Sequence, residues 1–336
     1  MNIAIVGATG NVGRKIIEIL EKKQINIENL FLLASKNSEG KKINYNGKEH
    51  KVTNLEKFDF SSVKIAFFAA GSEVAEKWAH VAAEKTIVID NSKYFRKDPD
   101  IPLIVPEVNS KKLSDVKNKN IIANANCSVI PVVVALKPLH DLYNINRIVA
   151  STYQSVSGAG KSAMDELLSQ TEDYFQNKEI DSKNFTKQIA FNAIPHIDSF
   201  LENGYTKEEQ KTTDEIKKIL DKKIKVTSTC VRIPVLVSHC ISANVEFNKK
   251  CDLDEIRKVL STSPGCKVID EHQDGGYITP VEAEDKFETF ISRIRLDESR
   301  ENTINLWIVS DNLVKGAALN AVQIAESLIT NNFYGR

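Results

Sequence analysis

The sequence predicts an α/β protein of two domains, on three observations. Short apolar runs alternate with helical stretches up to residue 126. A glycine-rich turn follows the very first run, and beyond Arg147 the runs lengthen and alternate polar with apolar residues. The first texture means a mostly parallel sheet joined by right-handed crossovers, and the second an α+β domain with an open, largely antiparallel sheet. A chain of 336 residues is long enough for both, with a large core.

The first strand, Ile3–Val6, runs into Gly7-Ala8-Thr9-Gly10-Asn11-Val12-Gly13 and then an amphipathic helix near 12–22. Glycines at the first, fourth and seventh places, between a strand and a helix, form a variant of the dinucleotide fingerprint of a Rossmann domain. The turn lacks room for a side chain, and a pyrophosphate rests on the helix N-terminus. The second strand, Leu30–Ala34, ends in Ser35-Lys36-Asn37-Ser38-Glu39. NAD binders place an acid at that strand end. Hydroxyls, an amide and a lysine suit a 2′-phosphate instead, so NADP is the expected cofactor, with Glu39 the one unfavourable charge. Further strands fit 65–70, 86–90, 103–105 and 121–123, with a second helix at 73–84.

Asn124-Ala125-Asn126-Cys127-Ser128 precedes the apolar run Val129 to Leu136, which reads as a helix with Pro131 tolerated near its start and Lys137-Pro138 closing it. Cys127 then sits at a helix N-terminus, where backbone N–H groups and the helix dipole favour a thiolate. A small buried core thiol is the other reading. Strands of the second domain are expected at 147–154, 226–237, 241–247, 287–296 and 303–310, with helices at 161–177, 207–221 and 252–260. A final helix from Ala317 to Asn331 returns to the first domain. The expected division is therefore 1–126 plus 312–336 against 127–311. Arg232 and His239 lie seven apart, which puts them on opposite faces of an unbroken strand. If both serve one site, the strand ends, bends or bulges between them, and Pro234 is the candidate breaker.

Composition excludes several classes. Lys plus Arg and Asp plus Glu are 45 each, which gives no case for nucleic acid or an anionic membrane. No apolar run reaches the length of a membrane span, and the first residues open directly into a strand, so no signal peptide is expected. The five cysteines, at 127, 230, 240, 251 and 266, show neither paired nor metal-ligand spacing. Reduced thiols in the cytoplasm, without metal or disulfides, are expected.

Taken together, Gly7-Ala8-Thr9-Gly10, Asn126-Cys127-Ser128, Tyr153-Gln154-Ser155-Val156-Ser157-Gly158-Ala159-Gly160, Arg232-Ile233-Pro234-Val235 with His239, and Ser310-Asp311-Asn312-Leu313-Val314-Lys315-Gly316-Ala317-Ala318 resemble the aspartate-β-semialdehyde dehydrogenases, in family order and along the whole chain. The resemblance implies reversible reduction of L-aspartyl-4-phosphate to L-aspartate-4-semialdehyde by NADPH, with release of phosphate, on the route to lysine, threonine, methionine and diaminopimelate. It also implies a homodimer formed through the second domain, whose sheet should leave one broad apolar face.

The resemblance extends to single residues. Cys127 would be the nucleophile, His239 the acid/base with a pKa near working pH, and Gln154 a substrate contact beside the thiol. Arg232 would clamp the α-carboxylate, Glu208 would contact the substrate as an acid, and Arg96 with Lys211 would hold the phosphate. Ser157, Gly158 and Asn312 would face the nicotinamide. One departure stands out: Asn37-Ser38 occupies the place where the family often carries Arg-Ser. The alternatives are N-acetyl-γ-glutamyl-phosphate reductase, against which Tyr153-Gln154-Ser155 and Glu208 speak; a glyceraldehyde-3-phosphate dehydrogenase, whose thiol neighbourhood is absent; and a catalytically silent NADP-binding sensor dimer.

Overall fold

The computed structural model describes residues 1–331, and these divide into two units, 1–125 with 317–331 and 126–316. Residues 332–336, which the expected division assigns to the first domain, lie outside the described residues.

The first unit is built on β1 (Asn2–Val6), β2 (Asn29–Ala34), a hairpin of β3 (Lys42–Tyr45) and β4 (Lys48–Lys51), β5 (Thr53–Asn54), β6 (Ile65–Phe68), β7 (Ile87–Asp90), β8 (Leu103–Ile104) and β9 (Ile121–Asn124). All but the hairpin join one sheet in the order β5-β2-β1-β6-β7-β9-β8, and every pairing in it is parallel. Helices α1 (Asn11–Lys22), α2 (Ser72–Ala83) and the short α3 (Pro106–Asn109) complete the crossovers. Sequence alternation does not reveal β3 and β4, because Lys-rich, largely exposed strands carry no apolar stripe.

The turn after β1 is dictated by steric exclusion. Gly7 takes φ +87, and a Cβ there would lie 2.6 Å from the Ala69 carbonyl oxygen. A Cβ on Gly13 would lie 2.2 Å from the Gly7 carbonyl oxygen. Only bare backbone fits, so α1 can start immediately behind the strand.

The second unit carries a six-stranded sheet. Its strands are β10 (Ile145–Gln154), β11 (Lys225–Arg232), β12 (His239–Phe247), β13 (Cys266–Val268), β14 (Thr289–Leu296) and β15 (Thr303–Ser310). They run in the order β11-β10-β12-β15-β14-β13. The central pairings are antiparallel, while β10 with β11 and β13 with β14 are parallel, so the sheet is mixed. Helices α4 (Val129–Tyr143), α6 (Lys207–Ile219) and α7 (Leu253–Thr262) cover one face, α5 (Lys161–Phe175) packs on the turn that follows β10, and the short α8 (Pro280–Ala283) lies on the other face against Cys240 and Val309. Finally α9 (Leu319–Thr330) belongs to the first unit, where it packs on α1 and pairs Glu326 with Lys23 at 2.8 Å.

Two expectations are corrected here. Pro138 does not close α4, which runs on to Tyr143. The carbonyl that a proline leaves without an N–H four residues back is that of Val134, and the Cys266 thiol donates to it at 3.6 Å. The outer sheet face is not broadly apolar. Val149, Tyr153 and Trp307 are interspersed with Ser151, Ser242, Asn244, Glu246 and Asn305, all half-buried. One end is covered by the chain itself, where Ile278 and Ala283 pack against Cys240, Phe290 and Val309.

Replacing Gly13 with Ala forces a shift between backbone groups and should cost about 1–3 kcal/mol, read as a lowered Tm. An unchanged Tm would contradict the close approach of α1 to the Gly7 carbonyl.

Candidate active site

Three neighbouring strands of the second sheet place their end residues side by side. The register sets Gln154 opposite Arg232 and Tyr153 opposite Cys240, so His239 follows beside Gln154 on the covered face. The fourth strand, β15, pairs Ser310 with His239 and then delivers Asn312. The predicted break between Arg232 and His239 is present. Strand β11 ends at Arg232, the chain leaves the sheet, Ser238 takes φ +74, and β12 restarts at His239.

Cys127 lies one residue before Ser128, the N-cap of α4, whose first amides bond back to the Asn126 carbonyl. Its Sγ lies 3.3 Å from His239 Nε2 and donates to Asn126 Oδ1 at 3.3 Å. His239 is fully buried, and its Nδ1 accepts the Ser155 backbone N–H at 3.1 Å. An amide N–H can only donate, so Nδ1 is an acceptor and Nε2 carries the proton toward the sulfur. Burial, and next the charge of Arg232, push the His239 pKa down to about 3. In this arrangement, with Nδ1 facing the Ser155 N–H, the neutral imidazole turns its Nε2–H toward the sulfur.

The surroundings hold it there. Asn312 Oδ1 accepts the Ser238 N–H at 2.8 Å and the hydroxyls of Ser155 and Ser157 at 3.1 and 3.2 Å. A Cβ on Gly158 would come within 3.3 Å of the imidazole and 3.1 Å of Arg232 Nη1. Arg232 is buried and donates to the Ser155 carbonyl at 2.6 Å. Burial draws its pKa below the ordinary value, and it stays cationic.

Helix α6 brings the acids. It starts on a capping box between Thr206 and Glu209, and this registers Glu208 and Lys211 against the site. Buried Glu208 accepts from Asn126 Nδ2 at 2.8 Å and Gln154 Nε2 at 3.4 Å, and pairs with Lys211 at 2.8 Å. Burial alone would raise its pKa. Lys211 and the hydrogen bonds outweigh that and hold it below the usual carboxylate range. Lys211 is likewise held above its ordinary value by Glu208 and by Asp198 at 3.0 Å, against the pull of burial.

The second unit thus gathers Cys127, Gln154, Ser157, Gly158, Glu208, Lys211, Arg232, His239 and Asn312. In the first unit, Arg96 donates to the Asn91 carbonyl at 2.9 Å. Gly7, Thr9, Gly10, Asn11, Val12 and Gly13 form the turn at the start of α1 there, and Ser35, Asn37 and Ser38 form a 3-10 turn after β2. Burial pushes Cys230 and Cys240 up to about 12 and raises Cys251, and among the described residues none of the five is bridged by a disulfide.

Sequence reasoning missed Asn126, Ser155, Glu215 and Gly316. Glu215 is buried and accepts the Asn126 backbone N–H at 2.7 Å. The available signal was its spacing of seven from Glu208, two turns along one face of a Lys-rich helix. Gly316 carried no signal beyond its motif, yet a Cβ there would lie 3.0 Å from Cys127 Cβ.

Two family models match the chain: the semialdehyde dehydrogenase NAD binding domain over residues 2–116 and the semialdehyde dehydrogenase dimerisation domain over 136–315. The chain is 49% identical to the aspartate-semialdehyde dehydrogenase of Rickettsia bellii, covering 98% of this chain and 97% of that protein. It is 49% identical to that of Aquifex aeolicus, covering 97% of each. Among solved structures, aspartate semialdehyde dehydrogenase II of Vibrio cholerae, complexed with ASA, superposes with a TM-score of 0.96 at 47% identity, covering 98% of each chain. No helix among the described residues is long and apolar enough to cross a membrane.

A Gly316→Ala side chain would press on the backbone and Cβ of Cys127. Misplacement on the order of 1 Å at a reacting atom costs about a hundredfold. Alkylation of Cys127 by iodoacetamide, followed by peptide mass, should slow markedly, and an unaltered rate would show that the thiol is not held by this contact.

Proposed function

Because the chain belongs to the aspartate-semialdehyde dehydrogenase family, we propose that Cys127 carries the family's acyl transfer and that the residues around it divide the remaining work. The observation that carries this reading is the Cys127–His239 contact of 3.3 Å, with Glu208 and Arg232 buried beside it.

The chain's groups account for each step. Cys127 Sγ bonds to the acyl carbon of aspartyl phosphate as the carbon–oxygen bond to phosphate breaks, and the thiol proton leaves on hydrogen phosphate. The product is a thioester on Cys127. When reduction leaves an oxyanion on that carbon, the Nε2–H of neutral His239 donates to it. The carbon–sulfur bond then breaks, the aldehyde departs, and the thiolate takes a proton from water. Gln154 contacts the substrate beside the sulfur. Arg232 suits the α-carboxylate through its planar fork, and Lys211 with Arg96 suits the phosphate. Glu208, anionic and buried, favours the free α-ammonium of aspartyl phosphate over the acetamide of the N-acetylglutamyl substrate.

The first unit fits a nicotinamide dinucleotide. Gly7 and Gly13 leave bare backbone at the turn, and α1 has Gly10 as its N-cap, with no side-chain cap. Gly7, Thr9, Gly10, Asn11, Val12 and Gly13 would hold the pyrophosphate, while Ser157, Gly158 and Asn312 would hold the nicotinamide. When bound, the cofactor supplies hydride for the thioester. NADP is favoured over NAD because Ser35, Asn37 and Ser38, with Lys36, stand at the end of β2 with no acid among them. Glu39 beyond them is paired with Lys57 at 3.4 Å.

The second unit is the family's dimerisation domain, so the chain forms a homodimer. The half-buried polar and aromatic outer face of its sheet is the proposed contact. The unbridged thiols support a cytoplasmic setting.

Purified protein given aspartate semialdehyde, phosphate and NADP should produce NADPH absorbance, with a lower kcat/KM for NAD. Cys127→Ala should abolish it while Cys230→Ala and Cys251→Ala retain most activity. Absorbance independent of phosphate, or a Cys127→Ala enzyme keeping about a tenth of the rate, would overturn the thioester route.

A further inference from the structure

The segment from Ile194 to Thr206 is fastened at both ends. Ile194 exchanges backbone hydrogen bonds with Arg232 at 2.8 and 2.9 Å, and the Lys207 N–H at the start of α6 donates to the Ser199 carbonyl at 2.9 Å. The segment therefore ties the end of β11, with its guanidinium, to the helix that carries Glu208 and Lys211. Asp198 stands between the two anchors with φ +68, a left-handed conformation that aspartate and asparagine tolerate and most residues resist. Its Oδ1 accepts the Ser199 N–H at 2.9 Å, which fixes the side chain to its own turn. Its Oδ2 accepts from Lys211 Nζ at 3.0 Å.

Lys211 thus lies between two acids. Glu208, three residues earlier on α6, pairs with it at 2.8 Å, and Asp198 takes a second N–H from outside the helix. An ammonium has three donors. Among the described residues Glu208 and Asp198 are the partners of this one, so one N–H is left for a ligand. Glu208 alone would hold the lysine poorly for that purpose. Oppositely charged residues three apart on a helix pair readily, so without a second acid the ammonium would settle wholly on Glu208, the group suited to the substrate's α-ammonium. Conversely, an α-ammonium seated on Glu208 would strip the lysine of its counter-charge where its side chain is only 15% exposed, and an unpaired charge there is costly. A second carboxylate removes both difficulties, because Lys211 keeps an anionic partner whichever way Glu208 is engaged.

We propose that Asp198 is a positioning residue for the phosphate-binding lysine: it draws the Lys211 ammonium off Glu208 and so divides one ion pair on α6 into two subsites, Glu208 for the substrate's ammonium and Lys211 for its phosphate. Asp198 acts through Lys211 and not on the substrate. The inference rests on the assignment of Lys211 to phosphate in the proposed function.

The test is initial-rate kinetics of NADP reduction, with phosphate varied at saturating aspartate semialdehyde and the reverse. The proteins are wild type, Asp198→Gly, Asp198→Asn, Lys211→Ala and the Asp198→Gly/Lys211→Ala double variant. Glycine removes the carboxylate without straining the left-handed backbone, and asparagine keeps an acceptor oxygen but not the charge. Asp198→Gly should raise the phosphate KM by about tenfold, the loss expected for one hydrogen bond between charged groups, with a much smaller change in the semialdehyde KM. Asp198→Asn should recover part of that loss. In the Lys211→Ala background Asp198→Gly should change the phosphate KM little, because its effect runs through the lysine. A merely structural role reads differently: loosening this segment would disturb Arg232 through Ile194 and raise the semialdehyde KM along with that of phosphate. A phosphate KM at or below wild type in Asp198→Gly, equal rises in both KM values, or additive effects in the double variant would overturn the inference. Should Asp198→Gly fold poorly, Asp198→Asn decides: its phosphate KM should still exceed that of wild type while its semialdehyde KM does not. Lys211→Ala separates the two levels. An unaltered phosphate KM there refutes the assignment of the lysine and this inference with it, while a raised one beside an unmoved Asp198→Gly refutes this inference alone.

Discussion

The site depends on the backbone of one residue, Ser155, and the strand end that carries it. The Ser155 N–H donates to His239 Nδ1, and its carbonyl accepts from Arg232. A single residue therefore sets the imidazole tautomer and parks the guanidinium. Neither could be arranged by side chains alone at comparable precision, because a backbone amide cannot reverse its polarity. Ser155 holds this position because β10 ends at Gln154, between β11 and β12, where both neighbours also terminate or begin. Asn312 completes the frame by taking the Ser238 N–H, which stabilises the left-handed turn that brings β12 back at His239.

Electrostatics in this pocket are balanced by pairing. Glu208, Lys211, Arg232 and His239 are all buried or nearly so, and unpaired charges there would be costly. Glu208 with Lys211 forms a pair whose members hold each other ionised, and removing one partner of such a pair costs about 3–5 kcal/mol. Neutrality of His239 is the complement: with Arg232 close by, a second cation is disfavoured. In the proposed scheme the imidazole serves as a donor to the oxyanion, and the proton balance of acyl transfer falls on the sulfur and the phosphate.

Much of this was legible in the chain. The glycine turn and its flanking strand and helix read directly, since steric demand at Gly7 and Gly13 leaves a strong residue signature. The odd spacing of Arg232 and His239 announced a break in the strand, and the structure has it. Long-range partners of polar atoms were not legible. That Asn126 meets Glu208 and Glu215 depends on how α6 lies against α4, which periodicity does not encode. Pro138 misled because the usual penalty of a proline inside a helix is softened by the thiol of Cys266, distant in sequence. The outer face of the second sheet misled for a related reason, since the segment around Ile278 folds back over part of it.

The central claim is that His239 is a neutral imidazole protonated on Nε2. Nitrogen-15 NMR of labelled protein reads tautomer and charge of each ring directly, and His239→Gln identifies the signal. The account predicts the Nε2–H tautomer for His239, unchanged from about pH 5 to about pH 8. An imidazolium signal in that range, or a proton resident on Nδ1, would contradict it.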